Sequence, residues 1–216
     1  MKNCYVKFAL IVFALVFAGI GSLEAQTTAK DFFSNPSSPA LFLGLDFSRA
    51  KLIDAASSNP QDIVARQYDG LNELVVTEAK KYDFAEAFHR SSLDHDFGAV
   101  NKRNEKTNPD LVVSTNTADY HRFTADSVKA YVSGFDYGGK KGVGIIFFVE
   151  GMSKSDKGIA IWVTLVDMQT GNVLMTDRVE GKVGMAFGFR NYWASGIKSV
   201  IEEVRKHKFN EWKNKY

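Results

Sequence analysis

From residue 40 onward the apolar positions fall into short blocks separated by turn residues. Ala40-Leu41-Phe42-Leu43-Gly44-Leu45-Asp46-Phe47 is a bounded apolar run, the mark of a buried strand. Asn59-Pro60-Gln61-Asp62 then supplies a cap, a proline suited to the first helical position, and an acid for the positive helix end. Val64, Tyr68, Leu71, Val75, Ala79 and Tyr82 follow at steps of three and four, which predicts one helical stripe despite Gly70. Residues 83–108 carry much charge and no clean period; they suggest only a short strand near Asp96 and a short helix near Val100. Leu111-Val112-Val113 predicts a strand. Thr124 caps a further helix, with Val128, Tyr131, Val132 and Phe135 on its apolar face.

The pattern is clearest in the last third. Residues 143–149 read as a buried strand, 153–158 as a polar turn, 159–167 as a long strand, 169–172 as a tight turn and 173–179 as the returning strand. Three strands joined by short turns predict an antiparallel meander. Gly181, Gly184 and Gly188 then lead into a final helix whose apolar face is Trp193, Ile197, Val200, Ile201 and Val204. The order of elements predicts an α+β fold, an α/β sandwich. Its sheet is expected to be mostly antiparallel, to end in the three-strand meander, and to be covered by two or three helices.

Upstream of this domain the pattern changes. Lys2 and Lys7 flank a short polar start, Phe8 to Ile20 is apolar and uncharged, and Leu23-Glu24-Ala25 offers a small residue for cleavage. Residues 1–25 therefore read as a secretory signal peptide, because the apolar run is shorter than the about 20 residues a spanning helix needs. Residues 26–39, with Asn35-Pro36-Ser37-Ser38-Pro39, read as a flexible leader, and 40–216 as a single domain. The chain's one cysteine, Cys4, precedes the apolar run. Cleavage would leave no thiol, no disulfide and no cysteine for lipid attachment. The expected location is periplasmic or secreted, with no membrane span after cleavage.

Charge narrows the partners. Removing Lys2, Lys7 and Glu24 turns 27 basic and 25 acidic residues into 25 and 24. A net charge of +1 gives no general attraction for nucleic acid. The basic Arg205-Lys206-His207-Lys208 segment suits the negative end of a helix.

Leu165-Val166-Asp167-Met168-Gln169-Thr170-Gly171-Asn172-Val173-Leu174 is similar to a hairpin of bacterial envelope proteins related to the periplasmic domain of the curli-secretion lipoprotein. The amino-terminal domain of Tol translocation protein B is a more distant relative of that architecture. Asp167, Thr170 and Gly171 carry the motif. Pro109-Asp110-Leu111-Val112-Val113-Ser114 sits where that group's middle strand would be, with proline and serine replacing its alanine and glycine. The resemblance implies an α/β domain over roughly residues 40–205 and a place in the envelope. The channel-forming and lipid-anchored parts have no counterpart here, so it implies no secretion activity. Phe187-Gly188-Phe189-Arg190-Asn191-Tyr192-Trp193 also resembles a stretch of exported proteins of Gram-negative bacteria.

Candidate chemistry is sparse. Asp94, His95 and Asp96, with Glu86 and His89 nearby, have the residue types of a divalent-metal site, although an exposed polar loop explains them equally and the spacing matches no standard signature. Gly138-Gly139-Lys140-Lys141-Gly142 runs into a strand and lacks the Ser/Thr of a phosphate loop. Gly184, Gly188 and Arg190 before the final helix could present backbone N–H groups to an anion; close strand–helix packing is the alternative use of such glycines. No Gly-x-Ser-x-Gly elbow is present. The expected function is a non-enzymatic binding or assembly module of the cell envelope. It needs no cofactor, and its partner is an envelope protein or a second copy of itself. The alternative is a hydrolase or metal-dependent enzyme with a dispersed site around Asp94, His95 and Asp96.

Overall fold

A computed structural model describes residues 27–216; the segment 1–25, read from its sequence as a signal peptide, lies outside the described residues. The sheet is built on β5 (Val143–Ser153), whose every residue is buried. Along one edge of β5 lie β1 (Ala40–Asp46) and then β2 (Lys51–Ile53), both parallel to it. Two-residue strands, β3 (Asp94–His95) beside β1 and β4 (Val113–Ser114) beside β2, are also parallel. Along the other edge run β6 (Gly158–Asp167) and β7 (Val173–Lys182), antiparallel.

The expected mostly antiparallel sheet is therefore corrected. Four of the six strand pairings among the described residues are parallel. Turn chemistry reports only strands joined by tight hairpins, here β5 to β7. Parallel partners are joined by crossovers through helices, which leave no local turn signal.

Helices cover both faces. On one face lies α2, which runs from Pro60–Asp62 through a π turn at Ile63–Gln67 into Tyr68–Thr77. Beside it lies α6, which runs from Phe189–Glu203 through a second π turn at Val204–Lys208 into Phe209–Lys215. Ile145, Phe147 and Val149 of β5 pack here with Tyr68, Leu71, Val75, Trp193, Ile197 and Val200. On the opposite face, Ile146 and Phe148 pack with Val100 of α4 (Gly98–Asn104) and with Val128 and Val132 of α5 (Ala125–Val132). Burial on both faces explains why β5 reads as an unbroken apolar run.

Local signals set the helix starts. Asn59 Oδ1 accepts from Asp62 N at 3.1 Å with Pro60 in the first turn, and Thr124 forms a capping box with Ser127. Helix α2 stops at Thr77, so Ala79 and Tyr82 lie beyond it. The strand expected at 111–113 shrinks to β4 because Pro109–Leu111 forms a 3₁₀ turn. Residues 29–34 of the expected leader form α1 (Ala29–Ser34), with Phe32 and Phe33 buried. Arg90, itself buried, holds this helix by donating to the carbonyls of Phe32 and Asn35.

Where β1 ends, two buried asparagines satisfy its backbone. Asn72 Oδ1 accepts from Leu45 N and Asn104 Oδ1 from Phe47 N, each at 2.7 Å, while both amide nitrogens donate to Leu45 O. Asn104→Ala leaves the Phe47 N–H buried without an acceptor and is expected to lower stability by about 2 kcal/mol. Urea denaturation measures it; a change under about 0.5 kcal/mol refutes this role.

Candidate functional site

The carboxyl ends of β2 and β5 coincide, Ile53 lying opposite Ser153. In open α/β sheets this is the end where ligands bind. Lys154 leaves β5 here, its N–H donating to Ile53 O at 3.1 Å. The loop between β7 and α6, residues 183–188, folds over the same end. Val183 N donates to Lys157 O at 2.8 Å and Gly184 N to Ser195 Oγ at 2.9 Å, while Ser195 Oγ donates to Tyr192 O at 2.6 Å. At its far end Gly188 takes φ +79°, a left-handed turn that suits glycine and opens α6.

Between these anchors two large apolar side chains stand in water. Phe187 keeps 95% of its surface exposed and Met185 is fully exposed at 105%. Beside them is a groove of about 470 Å³ lined by Lys154, Ala186, Gly188, Phe189, Tyr192 and Trp193. Tyr192 and Phe189 meet Trp193 edge-on, with ring centroids 4.9 and 6.3 Å apart. The Trp193 side chain is buried and its Nε1 has no hydrogen-bond partner. A buried donor without an acceptor costs about 1–3 kcal/mol, a cost carried here by a residue behind the groove's aromatic surface. Lys154 is the one charged residue lining the groove.

The residues singled out in the sequence are placed as follows. Gly184 and Gly188 bound the exposed loop. Arg190 turns to the neighbouring helix, where its Nε donates to Gln67 Oε1 at 3.0 Å and its guanidinium lies across Gly70. The three do not converge on one anion position, since the Gly184 amide is already bound to Ser195.

Asp94 and His95 form the exposed edge strand β3, and Asp96 follows it. The Lys140 ammonium, 2.8 Å from Asp96 Oδ2, together with the Gly98 N–H, holds the Asp96 carboxyl below its usual range. The His95 ring lies 4.9 Å from that of Phe97. Among the described residues no group of three or more His, Cys, Asp or Glu is arranged to hold a metal ion. His89 stacks on Phe209 with ring centroids 3.9 Å apart.

Asp167, Thr170 and Gly171 build the β6–β7 turn. Gly171 N donates to Asp167 O, Asp167 Oδ1 accepts from Gln169 N at 2.9 Å, and Gly171 takes φ +74°. Their role in this structure is to close a hairpin.

Sequence reasoning marked the 187–193 stretch but missed Met185 and the exposure of Phe187. Apolar residues between glycines carry no period that tells a buried position from a solvent-facing one. Among the described residues no helix is long and apolar enough to cross a membrane. Searches of protein-family models, curated proteins and solved structures returned no match to this chain.

Proposed function

We propose that this protein is an exported, non-enzymatic binding module of the cell envelope, engaging a partner protein through the Met185–Phe187 loop and the adjoining groove. The observation that carries the reading is the pair of large apolar side chains held in full solvent by a loop that is anchored at Val183 and Gly184 and runs into α6. Burying a Met or Phe side chain is worth about 1.5–3 kcal/mol each, a gain the free protein forgoes and a partner recovers. The secretory pattern of residues 1–25 and the envelope-type hairpin at 165–174 support the location.

The sheet edge is the weaker docking surface. Of the amides of β7, that of Lys182 donates to Ser199 Oγ and that of Arg178 to Asp177 Oδ1. Lys208 and Trp212 of α6 cover Asp177 by bonds of 3.1 and 2.8 Å. Alternating charges at Asp177, Arg178, Glu180 and Lys182 further oppose strand addition.

The test is a crosslinking pull-down from the envelope fraction with wild type and Met185→Ser/Phe187→Ser. The double variant is expected to lose the wild-type species and to bind them at least about 100-fold more weakly, since each tenfold is about 1.4 kcal/mol. If a second copy is the partner, ultracentrifugation shows self-association that the same variant abolishes. Identical captured species at equal affinity would refute the loop as the contact surface.

A further inference from the structure

A second cleft, remote in composition from the apolar loop, lies on the opposite helical face of the sheet. It separates α4 from the 134–140 segment and measures about 370 Å³, within the about 300–1,000 Å³ range of small-molecule sites. Its charged lining is four cations, Lys102, Arg103, Lys106 and Lys140, against two carboxylates, Asp96 and Asp136.

Both carboxylates are already committed. Asp96 pairs with Lys140 at 2.8 Å and accepts from Gly98 N; Asp136 Oδ1 accepts from Gly138 N at 2.9 Å. Arg103 is committed as well, its Nε donating to buried Asp46 at 2.7 Å and its guanidinium lying 4.4 Å from the Phe135 ring centre. That leaves Lys102 and Lys106, two like charges four residues apart, which have no ion-pair partner among the described residues. Lys102 lies on α4 and Lys106 in the turn just beyond it, so both charges border the same cleft. Tyr137 lines the same cleft, and its hydroxyl, closed off from solvent, has no hydrogen-bond partner.

We infer that this cleft binds a phosphate monoester of a small polar molecule. A monoester phosphate carries nearly two negative charges near pH 7 and three acceptor oxygens. Its charge matches that of the two unpaired ammonium groups, and the phenol adds a neutral donor. Burial pushes the Tyr137 hydroxyl up to about 12, so at neutral pH it remains a donor. The room left over, beside Leu43, Ala99 and the Tyr137 ring, accommodates the organic part of the ester. The site is not a phosphate loop, because the glycines at 138 and 139 precede a strand and supply no helix N-terminus.

Titration calorimetry at physiological salt tests this with inorganic phosphate, glycerol 3-phosphate and glycerol, and sedimentation tests it with phosphatidylcholine vesicles carrying phosphatidic acid. Glycerol 3-phosphate is expected to saturate one site more tightly than inorganic phosphate, and glycerol not to bind. Lys102→Ala/Lys106→Ala should weaken the phosphate ligand at least tenfold. Tyr137→Phe, which changes no charge, should weaken it several-fold. Circular dichroism confirms folding, since both lysines are exposed. Vesicle binding lost in the lysine double variant, without binding of the soluble ester, assigns the phosphate to a lipid headgroup. Met185→Ser/Phe187→Ser should leave all of this unchanged. Absence of saturable binding to every phosphate probe, or undiminished binding by the lysine double variant, would overturn the assignment.

Discussion

Arg178→Ala is expected to lower the free energy of unfolding by about 3 kcal/mol, at the lower end of the about 3–5 kcal/mol seen when one partner of a buried ion pair is removed. Glu150 is the extra residue of a β-bulge: Val149 faces Ile161 and Gly151 faces Ala160, with nothing opposite Glu150. The bulge swings a carboxylate under the α5 face, where it is wholly buried. One oxygen accepts from Phe123 N; the other accepts from Trp162 Nε1 at 3.1 Å and Arg178 Nε at 2.7 Å. Arg178 continues to Tyr120 O at 2.7 Å, so the network ties β5, β6 and β7 to the segment that leads into α5. Without Arg178 the carboxylate keeps two neutral donors and loses the one cation in direct ion-pair contact with it among the described residues. The cost sits at the lower end because Arg178 keeps about a fifth of its side chain in water.

Two comparisons isolate that cause. Glu180→Ala removes only the exposed arm of the same guanidinium and should change stability by less than about 1 kcal/mol. Glu150→Gln combined with Arg178→Ala should recover part of the loss, because the orphaned charge is gone and the coupling becomes measurable. Urea denaturation followed by tryptophan fluorescence reads all three. Arg178→Ala within about 1 kcal/mol of wild type would mean that the pair does not carry this load.

Glu150 also shows where the sequence stops being legible. An acid at the end of Val143 to Val149 reads as the end of a strand, yet β5 continues to Ser153. Only the distant Arg178 makes its burial tolerable, and no local period announces a partner 28 residues away. The same holds for Asn72 and Asn104, polar residues on helices whose value depends on where β1 ends. What was legible is local chemistry: the Asn59 and Thr124 caps, the β6–β7 turn and the three-strand run. Parallel pairing, the second helical layer and the docking of α1 by Arg90 depend on contacts far apart in the chain. At the candidate site, glycines 184 and 188 were visible as unusual, but both anion binding and close packing fit them; the structure shows them bounding an apolar loop.

Of the glycines in that stretch, Gly181 has the packing role, and substituting it has the second large expected effect. A Cβ built on Gly181 would lie 2.2 Å from Gly196 O and 3.0 Å from Val200 N, both backbone atoms of α6. Gly196 in turn faces β6, where its own Cβ would lie 2.8 Å from Ile159 Cγ2. Two glycines thus let α6 press onto β6 and β7 closer than any side chain permits. Backbone cannot rotate aside as a flexible side chain can, so Gly181→Ala must lift the helix. The expected loss is about 3 kcal/mol, the upper end of the about 1–3 kcal/mol typical of overpacking. For a chain of this size it corresponds to roughly 6–12 °C in Tm. Gly184→Ala is the control three residues on: its nearest neighbour would be Ser195 Oγ at 3.8 Å, ordinary contact, and Tm should stay within about 2 °C. The lifted helix also carries Phe189, Tyr192 and Trp193, so Gly181→Ala should weaken partner binding at the groove although it touches no groove residue. Equal Tm values for the two alanine variants would show that the strand–helix crossing has slack, and the groove would then have to owe its shape to the loop anchors at Val183 and Gly184 instead.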